Sequence, residues 1–316
     1  MGGLSRRQLF ALIATGMSSF AAFGSAAGAQ CRSKMDPQIA RRLMARLVPL
    51  HSRKAPPQPG DWLAAHAEPG QTFDQYFVAQ VTPVCARYRA LYLQPIGVVD
   101  DSTGSIMDTV ATGLREFYGF EVRRLPAVAL GGIPASARRR FGGTGQEQLL
   151  TSYLLDHVLR SRRPADAAAV LGLTSSDLWP GSGWNFVFGQ ASLQDRTGVW
   201  STYRHGNASG SAAERRQFLW RTLKVATHES GHMLGFGHCT RYECGMNGSN
   251  SLAESDQRPL EFCPECQAKI WWTCGITPAM RCEGLMRFAR EHGFGKEAVY
   301  WGEALPLLRA GLGAKE

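Results

Sequence analysis

His228, Glu229, His232, Gly235 and His238 have the types and the spacing for metal chemistry, reading H-E-x-x-H-x-x-G-x-x-H. On a helix, residues four apart share one face, so His228 and His232 can grip one ion. Gly235 falls where such a helix must end and the chain must turn back. Glycine takes the left-handed conformation there without steric cost. The reversal returns His238 as a third imidazole. Three neutral imidazoles and one open position describe a catalytic zinc rather than a closed structural one. Glu229 is not needed as a ligand. It stands where a carboxylate can take a proton from a water that the metal acidifies.

The same stretch carries a second set of metal-binding side chains. Cys239 follows the third histidine directly, Cys244 comes five positions later, and Cys263 and Cys266 form a C-x-x-C pair. Two short-spaced pairs of thiolates suit a tetrahedral four-cysteine zinc site. The expected complement is therefore two zinc ions, one catalytic and one structural. Met246 lies between the pairs, and its thioether is packing material rather than a ligand.

The extended histidine pattern is the metzincin signature. In metzincins a methionine turn lies beneath the catalytic zinc, at the place Met246 occupies. Together with Cys239, Cys244, Cys263 and Cys266, the pattern resembles the archaemetzincin family, and is most similar to its animal-type members. GSNSLAESDQRPL and RPLEFCPEC resemble the family's segment after the histidines. GDWLAAHAEPGQTFDQ, DLWP and WNFVFGQAS resemble it upstream, so the likeness spans residues 55–290. It implies a single-domain zinc metallopeptidase with a peptide or protein substrate and a hint of aminopeptidase-like preference. By position it implies His228, His232 and His238 on the catalytic zinc, Glu229 as base, and the four cysteines on the structural zinc. The alternative is a non-catalytic, zinc-stabilised peptide- or protein-binding module. Glu229 argues against it, because a binder has no use for a carboxylate there. Tyr203 and Tyr242, close to the motif in sequence, are candidates for oxyanion support.

These side chains need a long helix to present them. Ser211 and Glu214 form a capping box, and the helix they open should run from Ala212 to Leu234. Upstream the pattern alternates. Leu91–Val99 and Phe120–Leu130 read as strands, and Ser105–Tyr118 and Gly145–Arg160 as helices. Ala167–Leu173 is wholly apolar and suits a central buried strand. Asn185–Gln190 and Gly198–Tyr203 read as a late pair of strands. The expected fold is α/β (α+β), metzincin-like, with a mixed, mainly parallel sheet and an antiparallel edge strand. In a metzincin that edge pairs with the substrate main chain. Ala268–Trp272 and Glu283–Glu291 should form a small C-terminal helical lobe, and Pro306–Leu308 should end its last helix.

Composition bounds the rest. With 316 residues, 44% hydrophobic and 19% charged, the chain can bury a sizeable core. The net charge of +9 comes largely from scattered arginines, and no basic and aromatic stripe argues for nucleic acid. Residues 1–29 read as a signal peptide of twin-arginine type, from Arg6 and Arg7, and residues 30–316 as one domain. An ordinary export signal with a basic start is the alternative. Either makes the protein exported, periplasmic or extracellular, and without stable membrane insertion after cleavage. A monomer is expected. The segment IARRLMARLVPL should form a short basic amphipathic helix docked on the domain. Cys31, Cys85, Cys274 and Cys282 are left over, either as two disulfides or as buried free thiols.

Overall fold

A computed structural model describes residues 35–79, 88, 90–97, 101–142 and 145–312. The expected leader, Cys31 and Cys85 lie outside the described residues.

The centre is a five-stranded sheet in the order β2-β1-β5-β8-β7. Its strands are β1 (Ala90–Ile96), β2 (Glu121–Arg124), β5 (Ala167–Thr174), β7 (Gly189–Ser192) and β8 (Thr197–Ser201). Four run parallel, and β7 lies antiparallel to β8 at the edge. This is the expected mixed sheet. The apolar run of β5 sits in the middle, covered on both faces, as a wholly buried strand must be. Pro95 is not at an edge strand. Its backbone faces the side where β2 has already ended, and there its carbonyl accepts from Val128 N at 2.9 Å, so no ladder donor is missed.

Successive side chains on the strands feed two different cores. Leu91, Leu93, Leu171 and Trp200 face α4 (Asp101–Tyr118), the long helix α6 (Ala212–Met233) and the C-terminal helices. Ala90, Tyr92, Val170 and Val199 face Leu154, Leu155, Val158 and Leu159 on the helical segment α5, residues 151–162. Each fully buried leucine or valine among them contributes about 1.5–3 kcal/mol of transfer free energy.

Four expected elements differ. The strand read over Phe120–Leu130 ends at Arg124, and a 3-10 turn starts at Leu130. Residues 147–150 are not helical. They form β4 (Glu147–Leu150) between β3 (Arg138–Arg140) and β6 (Asp177–Trp179) in a second small sheet. Leu149 and Leu150 match helical spacing with Leu154 and Val158, but the backbone partners of β4 are remote in sequence. Residues 185–188 form no continuous strand: the Arg139 guanidinium takes the carbonyls of Trp184 and Asn185 at 3.0 and 2.9 Å, and Val187 makes an isolated bridge to Leu178. Pro306 lies inside α10 (Gly295–Leu312) instead of ending it. Buried Ala304 and Leu308 flank it, and Gly311 sits against Leu43 of α1 (Pro37–Leu47), so packing carries the helix past the proline.

The helix α1 docks on α10 and on α8 (Pro264–Cys274), with Ala40, Leu43 and Leu47 buried. With α9 (Pro278–Glu291) these helices make up the C-terminal lobe. Short helices α2 (Trp62–Ala65), α3 (Phe73–Val78) and α7 (Leu252–Gln257) complete the fold. Cys274 and Cys282 are free thiols. Among the described residues no helix is long and apolar enough to cross a membrane.

Candidate active site

The capping box forms as its residues require. The Ser211 side chain accepts from Glu214 N, and Glu214 reaches back to Ser211 N. From that start α6 runs to Met233. Gly235 then takes φ 87°, and Phe236 N bonds back to the Gly231 carbonyl at 2.9 Å, so the chain reverses. The reversal brings His238 to His228 and His232, with ring centroids 4.6, 5.3 and 4.9 Å apart.

Every Nδ1 of the three rings faces an acceptor. That of His228 is 2.8 Å from the Gly245 carbonyl, and that of His232 is 2.7 Å from the Phe236 carbonyl. That of His238 is 2.9 Å from both Glu68 carboxylate oxygens. A carbonyl cannot donate, so in His228 and His232 the proton is on Nδ1 and the Nε2 is bare. Burial holds His232 down to about 3 and His228 well below the ordinary histidine value, so both rings are neutral. Two bare lone pairs then face each other 3.0 Å apart. That arrangement suits a shared cation and is unfavourable without one, so the three-imidazole set fits zinc.

The floor of the site is packed tightly. Met246 Sδ lies 2.6 Å from where a Cβ on Gly231 would be, directly under the helix turn between Glu229 and His232. Only the absence of a side chain at Gly231 lets the methionine in. Glu229 is 6% exposed, and burial pushes its carboxyl up to about 8. A cation among the histidines would act in the opposite direction.

Cys239, Cys244, Cys263 and Cys266 are all buried, with sulfurs within 4.8 Å of one another. Cys244 Sγ accepts from Cys263 N at 3.1 Å and Met246 N at 3.4 Å. Asn247, 4% exposed, ties the loop together through Cys244 N and the carbonyls of Cys239 and Tyr242. Burial pushes the thiols of Cys244 and Cys263 up, while hydrogen bonds from Cys244 and the other sulfurs hold Cys239 down. Four buried thiols cannot all ionise side by side, so the set fits a divalent cation that accepts thiolates. Because Cys239 follows His238, and Cys239 N bonds to Met246 O at 2.8 Å, the two clusters share one loop.

Peptidase family M54 matches residues 162–271 of the chain. Archaemetzincin-2 of Rattus norvegicus is 32% identical over 284 residues, covering 80% of this chain and 77% of the relative. The chain belongs to the archaemetzincin family. It is therefore a zinc metallopeptidase acting on peptides or proteins. Human archaemetzincin-2 is 33% identical, covering 76% of this chain and 73% of its own length. An archaemetzincin of Methanopyrus kandleri with a solved crystal structure is 32% identical, with a TM-score of 0.49 over 60% of this chain and 98% of that one.

The structure brings together each motif residue of this archaemetzincin-family chain. The ring contacts of the two candidate tyrosines are with residues other than the three histidines of the site. The Tyr242 ring lies under the Arg53 guanidinium, 4.3 Å away, and edge-on to His51. The Tyr203 ring is 43% exposed beside Arg204. Two residues the motif did not announce do belong to it. Glu68 is 170 positions from its histidine. Gly189 lies on β7, against Glu229. Both fall inside the upstream segments that carried the family likeness, but neither has ligand spacing.

Proposed function

We propose that this chain hydrolyses peptide bonds at a zinc held by His228, His232 and His238, with Glu229 as general base. A second zinc, held by Cys239, Cys244, Cys263 and Cys266, maintains the loop that carries His238 and Met246. The observation that carries the reading is the convergence of bare imidazole nitrogens next to a buried carboxylate one residue along the same helix. Zinc bound there polarises a scissile carbonyl and acidifies water. Glu229 receives the proton of the attacking water and returns it to the leaving amine. Its burial excludes bulk water, which keeps the carboxylate basic. The outer strand β7 touches Glu229 at Gly189, so an extended peptide added to that edge would lie beside the carboxylate.

Glu229→Gln tests this. The amide keeps the shape but cannot take a proton. Hydrolysis of a peptide mixture, read by mass spectrometry, should fall by about 10²–10⁴-fold. Zinc content should be unchanged. Near-wild-type hydrolysis by the purified variant would remove Glu229 from the role.

A further inference from the structure

Residues 60–73 cross over the reversal that follows α6, and they supply a part of the metal site that no ligand spacing announces. Both oxygens of Glu68 lie 2.9 Å from His238 Nδ1. Gln71 Oε1 accepts from Gly237 N at 3.1 Å, and its Nε2 donates to the Gly235 carbonyl at 3.3 Å. Gly70 lies so close to Thr240 Oγ1 that a side chain there would collide with it. The Trp62 ring stands edge-on to His238, 5.4 Å away.

The strap is anchored beneath by α8. Lys269, fully buried, donates to the Gln71 carbonyl at 2.7 Å and to its side-chain oxygen at 3.0 Å. Glu265 accepts from Phe73 N at 2.6 Å. At its other end Trp62 N bonds both oxygens of Glu254, each at 3.1 Å. Glu68 therefore comes to His238 on a segment held at three points.

The three histidines are not supported alike. His228 and His232 stand on a helix and give their Nδ1 protons to carbonyls of the neighbouring loops. His238 stands past the helix end, and its Nδ1 meets a side-chain carboxylate instead. A carboxylate behind a ligating imidazole fixes the tautomer, orients the ring and strengthens it as a ligand.

We propose that Glu68 is a positioning residue of the catalytic zinc site: it turns the Nε2 of His238 toward His228 and His232 and strengthens the third ligand. This rests on the reading that the three histidines hold that zinc. The test is zinc affinity of the full chain, measured by competition with a chromogenic chelator for wild type, Glu68→Ala, Glu68→Gln, Gln71→Ala and His232→Ala. Glu68→Ala should weaken the more labile zinc by about 10–100-fold and leave the tightly held zinc unchanged. Glu68→Gln, whose amide oxygen still accepts from Nδ1, should recover most of the loss. Gln71→Ala removes the side-chain bonds to Gly235, Gly237 and Lys269 but leaves the Glu68 carboxylate and the His238 ring intact, so it should weaken the labile zinc less than Glu68→Ala does. An unchanged labile zinc in Glu68→Ala, or an equal loss in Gln71→Ala, would overturn the assignment. His232→Ala separates the two levels. If it removes the labile zinc while Glu68→Ala does not weaken it, Glu68 alone is misassigned. If it leaves that zinc in place, the three-histidine reading fails and the Glu68 assignment with it.

Discussion

The carboxylate of Glu229 occupies the space that a side chain at Gly189 would need. A Cβ built on Gly189 would lie 2.7 Å from Glu229 Oε1 and 2.9 Å from its Cδ. Real Cβ atoms do not approach that closely, so one of the two must give way, and β7 is held to β8 by a ladder from Gly189 to Ser192. The edge strand and the proposed base on α6 are thus fitted to each other.

Gly189→Ala should push the Glu229 carboxylate off its place without touching any metal ligand. Misplacing a catalytic group by about 1 Å can cost on the order of 10²-fold in rate. The expected result is a kcat lower by about 10–100-fold with both zinc ions retained. A kcat equal to wild type at full zinc content would show that the contact does not set the position of the base.

The two clusters predict two zinc ions of unequal lability. Three histidines would leave a zinc one position open, whereas the four sulfurs, buried and within 4.8 Å of one another, could fill all four. Metal analysis should give two zinc ions per chain. A weak chelator should remove one of them, with loss of hydrolysis and little change in Tm. Cys263→Ser should instead lower Tm sharply, since the sulfur cluster holds the loop between Cys239 and Cys263 and structural zinc binding is folding free energy. One zinc per chain with a fully stable Cys263→Ser would contradict the assignment.

The site was legible in the sequence where its geometry is local. His228 and His232 are one helical turn apart, Gly235 marks the reversal, and the capping box at Ser211 fixes where the helix begins. Each depends on neighbours within a few residues. Glu68 and Gly189 were not legible, because what defines them is contact across the fold: a hydrogen bond over 170 positions and an approach of strand to helix. The same division holds for the fold. The wholly apolar β5 announced itself as a central strand. The strand β4 did not, since its leucines also fit a helix and its partners are the arginines of β3 and the short β6. Pro306 misled for the opposite reason, because tertiary packing overrode a strong local breaker.

Acid should destabilise the fold through histidines that bind no metal. His205 is 1% exposed, and burial, helped by Arg221, holds it down to about 3. The Thr222 hydroxyl donates to the Phe218 carbonyl, so it accepts from His205 Nδ1 and leaves Nε2 bare. That Nε2 is buried with no hydrogen-bond partner among the described residues, so a proton there would bury an unpaired charge. His51 is likewise held down to about 4 by burial. The unfolded chain takes up these protons near pH 6.5, and the folded one only near 3 or 4. Stability is therefore intact above pH 6.5 and falls as the pH is lowered, by about 2 kcal/mol for His205 at pH 5. Denaturant midpoints from pH 8 to pH 5 should show the fall, and His205→Gln should flatten it. A midpoint unchanged between pH 7 and pH 5 would refute this.

The buried ion pair of Arg281 and Glu261 should be the most sensitive charged contact outside the metal sites. The two residues are 2% and 3% exposed, with Nη2 and Oε1 3.1 Å apart. Arg281 Nε also donates to the Phe117 carbonyl at the end of α4, and Trp301 on α10 donates to Glu261. The pair therefore joins α4, α9 and α10. The carbonyl of Glu261 accepts from Gly245 N at 2.9 Å, and the Gly245 carbonyl accepts from His228, so the pair lies one residue from the support of a proposed metal ligand. Arg281→Met fills the volume but leaves the Glu261 carboxylate buried without its cation, which costs about 3–5 kcal/mol. Arg281→Met with Glu261→Gln removes both charges, keeps a side-chain oxygen for Trp301, and should recover most of the loss. Urea denaturation of the zinc-loaded protein measures both. If the single variant were as stable as wild type, the pair would contribute only packing.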